Sequence, residues 1–424
     1  MFQFGHKILL GRYLILRKHI PLLLLSALAL FGSIFLCGCS KNSSDDEPTD
    51  ESYNMISDGT SVHISNYDDQ EREEAVYIPD GMVTQYASRY LDSEQLVIYN
   101  SLVKSVANCE SSVPMTADSD IYNTLLNLVG IEQLGFGHVS NRKMGDFNVE
   151  TQHFSIEYTY RFTAAEMSNM NRASEAAADK ILEGITDDMS DYDKLKYFHD
   201  YLIKNCKSDT EDKFANTIYG TLVNGKALCE GYAKSFSYLC NRAGIENMIV
   251  TGMTNVAHMW NMVKVDGNWY HIDVTWDKPE GPLEELYPDM VMYQFFMVTD
   301  SVIENDHVIW TVGYEPPHAY STKENYFFKE NLYISSEDET DSVVEKAFAK
   351  AVSQRSSTAT VKFDSNNLML STIRNMKNSA ENGGDYLKSS IEKVSLEYNV
   401  KLNVSWTDYY SPYRILVFVI DYVE

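Results

Sequence analysis

Three residues in order along the chain could together perform nucleophilic catalysis: Cys229, His258 and Asp273. A thiol nucleophile needs a base that removes its proton, and that base needs a third group to orient it. A thiol, an imidazole and a carboxylate meet this requirement in residue type. The alternative for Cys229 is a small buried residue, which is the usual place of a free cysteine. The elements that carry the three residues decide between these interpretations.

The segment around Cys229 predicts a helix that begins at the cysteine. Cys229 follows the turn-prone pair Asn224-Gly225, and Gly244 is a typical helix stop. The apolar residues between them recur at helical spacing: Tyr232, Ala233, Phe236, Leu239, Cys240 and Ala243. In the first turn, unpaired backbone N–H groups and the helix dipole favour a thiolate. The same N–H groups are natural donors to an oxyanion.

A β-hairpin is predicted to carry the other two residues. Strand patterns run from Met259 to Val265 and from Asn268 to Trp276, on either side of Asp266-Gly267. A two-residue turn puts His258 on the same face as Asp273, displaced by one pair. The carboxylate could then hold the imidazole in the tautomer that accepts the thiol proton. A three-residue turn would put the two on opposite faces.

Together these segments resemble the transglutaminase-like superfamily, whose core is papain-like. The family pattern is G-x-x-x-C-x-G-Y-A, then H-x-W-N, then D-x-T-W, and it is matched by Gly225–Ala233, His258–Asn261 and Asp273–Trp276. YGTLVNGKALCEGYA and WYHIDVTWD are similar to the bacterial, extracellular branch. The resemblance covers residues 190–335. It implies an α+β fold in which the cysteine helix packs on an antiparallel sheet that carries the histidine and the aspartate.

The resemblance also implies a reaction. Cys229 attacks an amide carbonyl of a protein or peptide, cell-wall peptides being one candidate, and no cofactor is required. His258 acts as base and then as acid, and Asp273 orients it. Water resolves the thioester in a peptidase or amidase, and an amine does so in a transglutaminase. Hydrolysis is favoured because no feature of the sequence selects an amine acceptor. The alternatives are a catalytically silent binding or adhesion lipoprotein and a wall-associated scaffold.

Aromatic residues are secondary candidates near the thiol. The backbone N–H of Cys229 is the first candidate oxyanion donor, and Tyr219 is a second donor, a shield for the thiol or a packing residue. Trp260 and Trp276 are candidate walls of the cleft or core aromatics. His199 is expected to cap or pack rather than catalyse, and His271 is expected to be structural or at the edge of the cleft. The sequence contains no C-x-x-C or H-x-x-x-H spacing and no EF-hand loop, so no metal site is expected.

Residues 1–38 predict a lipoprotein signal peptide. Basic residues without any acidic residue precede an apolar run of about sixteen residues, which is shorter than the roughly twenty of a membrane span. The sequence Leu36-Cys37-Gly38-Cys39 resembles a bacterial lipobox. It implies cleavage before Cys39, lipidation of Cys39 and a membrane-anchored protein on the extracytoplasmic side. The alternative is an uncleaved anchor helix.

Composition divides the rest of the chain and excludes one class of partner. We predict an acidic flexible stalk, an N-terminal α+β region, the transglutaminase-like domain and a small C-terminal α/β accessory domain, at residues 39–75, 76–185, 186–335 and 336–424. The formal net charge is −26, and it becomes about −30 without the leader, which carries four basic and no acidic residues. Such a surface repels nucleic acid, so no nucleic-acid partner is expected.

Cysteine usage argues against a fully disulfide-bonded scaffold. After Cys37, Cys39 and Cys229 are set aside, an odd number of cysteines remains: Cys109, Cys206 and Cys240. One disulfide among these three is compatible with the sequence.

Overall fold

The structure is a computed structural model. It describes residues 75–115, 119–145, 154–279, 281–288, 290–311, 314–382, 384, 386–406 and 413–423. The predicted signal peptide, the lipidation residue Cys39 and almost all of the predicted stalk lie outside these residues. Among the helices that are described, none has both the length and the apolar character needed to cross a bilayer.

The N-terminal region combines three helices with a three-stranded antiparallel sheet in the order β1-β3-β2. A short 3₁₀ turn precedes its elements, which are α1 (Ser93–Ala107), β1 (Ser112–Met115), α2 (Ser119–Glu132), β2 (Val139–Met144), β3 (Phe154–Tyr160) and α3 (Ala164–Leu182). Alternate residues of β3 are buried in a core shared with α1 and α2.

The central region is built on a five-stranded antiparallel sheet with the order β10-β6-β7-β8-β9. Its elements are α4 (Asp191–Asn205), β4 (Lys207–Ser208), α5 (Ile218–Leu222), β5 (Lys226–Ala227), α6 (Cys229–Arg242), β6 (Asn247–Met253), β7 (Ala257–Val265), β8 (Asn268–Ile272), α7 (Pro282–Leu286), β9 (Phe296–Val298), α8 (Asp300–Ile303), β10 (Val308–Ile309) and α9 (Tyr326–Lys329). Helix α6 packs against β6 and β7. This is the predicted α+β arrangement of a helix on an antiparallel sheet.

Helix α6 begins at Cys229 as predicted, and the chain leaves it through Gly244 with φ +74°. The predicted apolar stripe is buried except at its end, where Ala243 is half-buried. Polar residues of the same helix are buried as well, among them Lys234, Ser235 and Ser237. Lys234 compensates its burial with an ion pair to Glu230 at 2.8 Å. The helix is therefore enclosed on more sides than its periodicity indicates.

The β7–β8 hairpin has the predicted two-residue turn. Asp266 and Gly267 both have positive φ, at 50° and 78°, as the favoured hairpin turn requires. The pairing runs from Val265 opposite Asn268 to Asn261 opposite Ile272. Strand β8 is shorter than predicted, because the backbone N–H after Ile272 bonds to the carbonyl of Phe295 and the chain enters a turn.

The C-terminal region is a four-stranded sheet with the order β11-β12-β14-β13, covered by helices. Its elements are β11 (Tyr333–Ile334), α10 (Thr340–Ser353), β12 (Thr358–Phe363), α11 (Asn366–Glu381), α12 (Lys388–Tyr398), β13 (Lys401–Trp406) and β14 (Ile415–Val423). The sheet starts with Tyr333, three residues before the predicted boundary at 336. The C-terminal region contacts the central region through Tyr413, which precedes β14. The centroid of its ring lies 4.8 Å from that of the Phe295 ring.

A close approach of backbones fixes the start of α6. The N–H of Leu228 donates to the carbonyl of Ala215 at 2.9 Å. A Cβ on Gly231 would lie 2.2 Å from the same carbonyl oxygen and 2.7 Å from Oγ1 of Thr221. Because the obstructing atom is backbone, a larger residue cannot be accommodated by a side-chain rotation. Gly231 therefore sets how closely the first turn of α6 packs on the preceding segment.

We predict that Gly231→Ala destabilises the protein by about 1–3 kcal/mol, the usual effect of overpacking. The matched control is Gly130→Ala in α2, where the nearest side-chain atom is 3.7 Å from the added Cβ. That substitution should be neutral or stabilise by about 0.5–1 kcal/mol through helix propensity. Urea unfolding monitored by circular dichroism measures both. Equal stabilities of the two variants would contradict the steric interpretation.

Candidate active site

Cys229 is the first residue of α6 and is half-buried. Leu228 occupies the N-cap position, and no side chain in the described part of the chain caps this helix. In contrast, α1, α3 and α4 each begin with a capping box. The first-turn N–H groups of α6 therefore lack the side-chain acceptor that other helices of this protein use.

His258 and Asp273 meet as the hairpin register predicts. His258 is on β7, and Asp273 directly follows β8. Nε2 of His258 lies 2.7 Å from Oδ2 of Asp273. Cys229 interacts with the same imidazole and contributes to the raised pKa of His258. Because Nε2 is bonded to Asp273, Nδ1 is the ring nitrogen that remains available to the thiol. The structure thus brings the three predicted residues close together, with a hydrogen bond between His258 and Asp273.

The environment favours opposite charges on the imidazole and the carboxylate. Burial alone would lower the pKa of His258, but the charge and hydrogen bond of Asp273, together with Cys229, raise it to about 10. Burial alone would raise the pKa of Asp273, but the charge of His258 and the hydrogen bonds from His258 and His307 hold it well below its usual range. The pair is therefore an imidazolium and a carboxylate at neutral pH.

Asp273 has two further partners that the sequence interpretation missed. Its Oδ1 accepts the backbone N–H of Trp276 at 3.1 Å, and its Oδ2 lies 3.0 Å from Nε2 of His307. His307 is 34 positions away along the chain. The resemblance covered this position, within residues 190–335, but assigned no role to the histidine. No local periodicity places a residue so distant in sequence beside Asp273.

The same three side chains form a group whose composition can bind a metal ion. Ligand atoms of His258, Asp273 and His307 lie within 4.8 Å of one another, and all three residues are buried. The sequence contained no spacing typical of such a group. In this arrangement the two histidines are bonded through Nε2 to one carboxylate oxygen. A metal ion would have to replace both of those hydrogen bonds.

Trp260 lies behind His258 rather than beside an open cleft. It is 1% exposed, and its ring stacks on His258 with a centroid distance of 5.9 Å and an interplanar angle of 19°. Its indole N–H donates to Nδ1 of His271 at 3.1 Å, and Nε2 of His271 bonds to Asp300 at 3.0 Å. Trp260 is therefore a core aromatic. His271 has the expected structural role, since it fixes the ring that supports His258.

Trp276 and Tyr219 are both half-buried. The ring of Trp276 lies 6.1 Å from that of His258, so it is close enough to border the site. Tyr219 is on α5 and packs edge-on against Phe214 at 5.3 Å. This contact is consistent with Tyr219 as a packing residue. Its alternative roles as an oxyanion donor or as a shield for the thiol stay predictions.

The remaining sequence candidates lie away from the thiol. His199 is buried, and its Nε2 bonds to Asp277 at 3.1 Å, which is the expected packing role. None of the four described cysteines forms a disulfide. Burial raises the pKa of Cys206 to about 12 and that of Cys240 well above its ordinary value. Neither thiol is therefore suited to act as a nucleophile at neutral pH.

The central region matches a known family. Residues 175–274 match the model of the transglutaminase-like superfamily. The chain contains a transglutaminase-like domain. The matched segment begins in α3 and ends just after Asp273, so it includes the cysteine helix and the hairpin.

Comparison with individual proteins gives a distant relative of this chain. The human kyphoscoliosis peptidase is 26% identical over 133 residues, which cover 26% of this chain and 19% of that protein. Because so little of the relative is matched, its activity as a whole is not transferred to this chain. The match supports a cysteine enzyme at the level of the family.

Two solved structures match part of the chain. One is described as a TGase; it has 16% identity and a TM-score of 0.25, and the match covers 40% of this chain and 52% of that chain. The other is a candidate cysteine protease from Cytophaga hutchinsonii with 13% identity and a TM-score of 0.23, covering 40% and 65%. Likenesses this distant carry no information about substrate.

Proposed function

We propose that the transglutaminase-like domain is a thiol enzyme that acts on amide bonds of proteins or peptides. Cys229 is the nucleophile, His258 the base and then the acid, and Asp273 the group that orients His258. The observation that supports the proposal is the 2.7 Å contact between the His258 imidazole and the Asp273 carboxylate, beside a thiol at Cys229 that interacts with the same imidazole. Cys229 is half-buried, so it is not fully enclosed in the core.

In the first half-reaction, sulfur attacks the amide carbonyl carbon after the thiol proton has passed to Nδ1 of His258. The carbonyl oxygen becomes an oxyanion, and the backbone N–H of Cys229 is its first donor. The absence of a side-chain cap at Leu228, among the described residues, supports this use of the helix start. Collapse of the intermediate forms a thioester at Cys229. His258 returns the proton to the departing nitrogen.

In the second half-reaction, His258 takes a proton from an incoming nucleophile that attacks the thioester, and the thiol is released. Water gives hydrolysis, and an amine gives a new amide. Hydrolysis is the preferred outcome because no feature of the described site selects an amine. The proposed location is the extracytoplasmic side of a membrane, to which the protein is anchored by a lipid on Cys39. Cell-wall peptides are candidate substrates there.

We predict that Cys229 is alkylated by iodoacetamide roughly a hundredfold faster at pH 6 than an ordinary thiol. An unperturbed thiol with a pKa of about 8.5 is ionised only to about 0.3 per cent at that pH. In His258→Ala the rate should fall toward that of an ordinary thiol, because the imidazolium partner is gone. Mass spectrometry of the labelled peptides measures the rate at each cysteine.

Cys206 and Cys240 serve as internal controls because both are buried, and they should stay unlabelled while the protein is folded. Half-buried Cys109 provides the comparison thiol. An alkylation rate of Cys229 equal to that of Cys109 at every pH would contradict the enzyme proposal. It would leave the catalytically silent binding lipoprotein as the better function.

A second experiment separates hydrolysis from amine transfer. A peptide library is incubated with the protein in the presence of an excess of a biotinylated alkylamine. We expect products with new carboxyl groups and little incorporated amine, and no products with Cys229→Ala. Biotin in most of the products would instead assign the domain to cross-linking chemistry.

The anchoring proposal is tested by replacing the lipidated residue. In Cys39→Ala, expressed in a bacterial host that processes lipoproteins, the protein should be released from the membrane or retain its leader. Metabolic labelling with a fatty-acid probe should be lost. Unchanged processing and membrane retention in this variant would favour an uncleaved anchor helix.

A further inference from the structure

The second histidine bound to Asp273 has no part in the reaction steps described above. His307 lies between α8 and β10, and its backbone N–H donates to the carbonyl of Ile303 at 3.0 Å. Its side chain is completely buried. Its Nε2 lies 3.0 Å from the carboxylate oxygen of Asp273 that also bonds to His258. One carboxylate oxygen therefore joins two imidazole rings from separate segments of the sheet.

Aromatic side chains enclose the His307 ring. The centroid distances are 4.7 Å to Trp276, 5.0 Å to Trp260 and 5.1 Å to Phe295. The last two contacts are edge-to-face. A ring packed in this way cannot turn without displacing its neighbours. Its Nε2 is therefore aimed at the carboxylate before any substrate binds.

The hydrogen bonds of His307 define its tautomer. Among the described residues, Nδ1 is buried and has no hydrogen-bond partner. The contact with the carboxylate requires a proton on Nε2, since a carboxylate can only accept. A second proton on Nδ1 would be a buried N–H without an acceptor, which is costlier than a bare lone pair. The ring therefore acts as a fixed Nε2–H donor.

We propose that His307 is a positioning residue of the thiol–imidazole pair: its Nε2–H holds the Asp273 carboxylate where that group orients His258 toward Cys229. This inference rests on the proposed function, because it concerns the same site. His307 touches no reacting atom and acts through Asp273. Without it, Oδ2 would be held by His258 alone, the very ring that it must orient.

Removing the donor has a consequence with a definite sign. Asp273 is faced by His258 from β7, by His307 from the loop before β10 and by Asp277 from the turn after β8. Burial raises the pKa of Asp273, and the two histidines lower it to a net value below its usual range. Loss of the His307 hydrogen bond therefore raises that pKa. A carboxylate loses its charge as pH falls through its folded-state pKa, so the charge is lost at a higher pH.

The test is the pH profile of Cys229 alkylation in three proteins. His307→Leu removes the donor, and His307→Gln keeps an N–H at a similar reach. In His307→Leu the acid limb of the profile should move upward by about one pH unit, which is about a tenfold loss of rate below it. In His307→Gln the limb should stay close to that of the unmodified protein. A merely structural role would lower the rate at all pH values without moving the limb.

His138→Leu is the matched control for the loss of a buried histidine. Like His307, His138 is fully buried, bonds through Nε2 and has an Nδ1 without a partner among the described residues. It belongs to the N-terminal region, so its loss should leave the acid limb in place. Thermal unfolding shows whether each variant is folded at the pH of the assay.

The outcomes separate this inference from the proposed function. If the unmodified protein alkylates no faster than an ordinary thiol, both are overturned. If it alkylates fast and folded His307→Leu keeps the same acid limb, the positioning role alone is overturned. A limb that moves equally in His307→Gln and His307→Leu also overturns it, because the donated hydrogen bond is then irrelevant.

Discussion

The arrangement of this site depends on a carboxylate that is completely removed from water. A buried negative charge is costly unless hydrogen bonds and an opposite charge compensate it. Asp273 receives His258 and His307 on Oδ2 and the backbone N–H of Trp276 on Oδ1. Because these bonds make the burial tolerable, they must be present in the folded state. The hydrogen bonds that make the burial of Asp273 tolerable therefore also orient His258 in the folded protein. No substrate is needed to assemble this part of the site.

The sheet brings these donors together through close backbone approaches. His258 lies opposite Gly252 in the β6–β7 pairing, and β10 pairs with the other side of β6. A Cβ on Gly252 would lie 2.2 Å from the carbonyl oxygen of Val308, the neighbour of His307 in the chain. A residue without a side chain is therefore required where β10 meets β6. That approach brings the loop before β10 within reach of Asp273.

Local signals predicted the parts of the site that local physics determines. The helix start at Cys229 and the turn at Asp266-Gly267 follow from periodicity and from the backbone angles that a tight hairpin needs. The register of that hairpin then places His258 near Asp273. The contact of His307 depends on the return of a distant segment to the sheet edge, which no local pattern encodes. The burial of Trp260 likewise depends on tertiary packing, so its alternatives stayed open in the sequence.

The residues of the site differ in solvent exposure, and this difference supports the choice of Cys229 over Cys240 as the proposed nucleophile. His258 and Asp273 are buried, so water does not compete for the hydrogen bond between them. Cys229 is half-buried at a helix start beside this dry pair, so it is more exposed than the two residues that it accompanies. Cys240 lies on the same helix three turns later, with complete burial and no imidazole partner among the described contacts. The proposed difference in reactivity between the two thiols therefore rests on their positions along α6, one at the edge of the core and the other inside it.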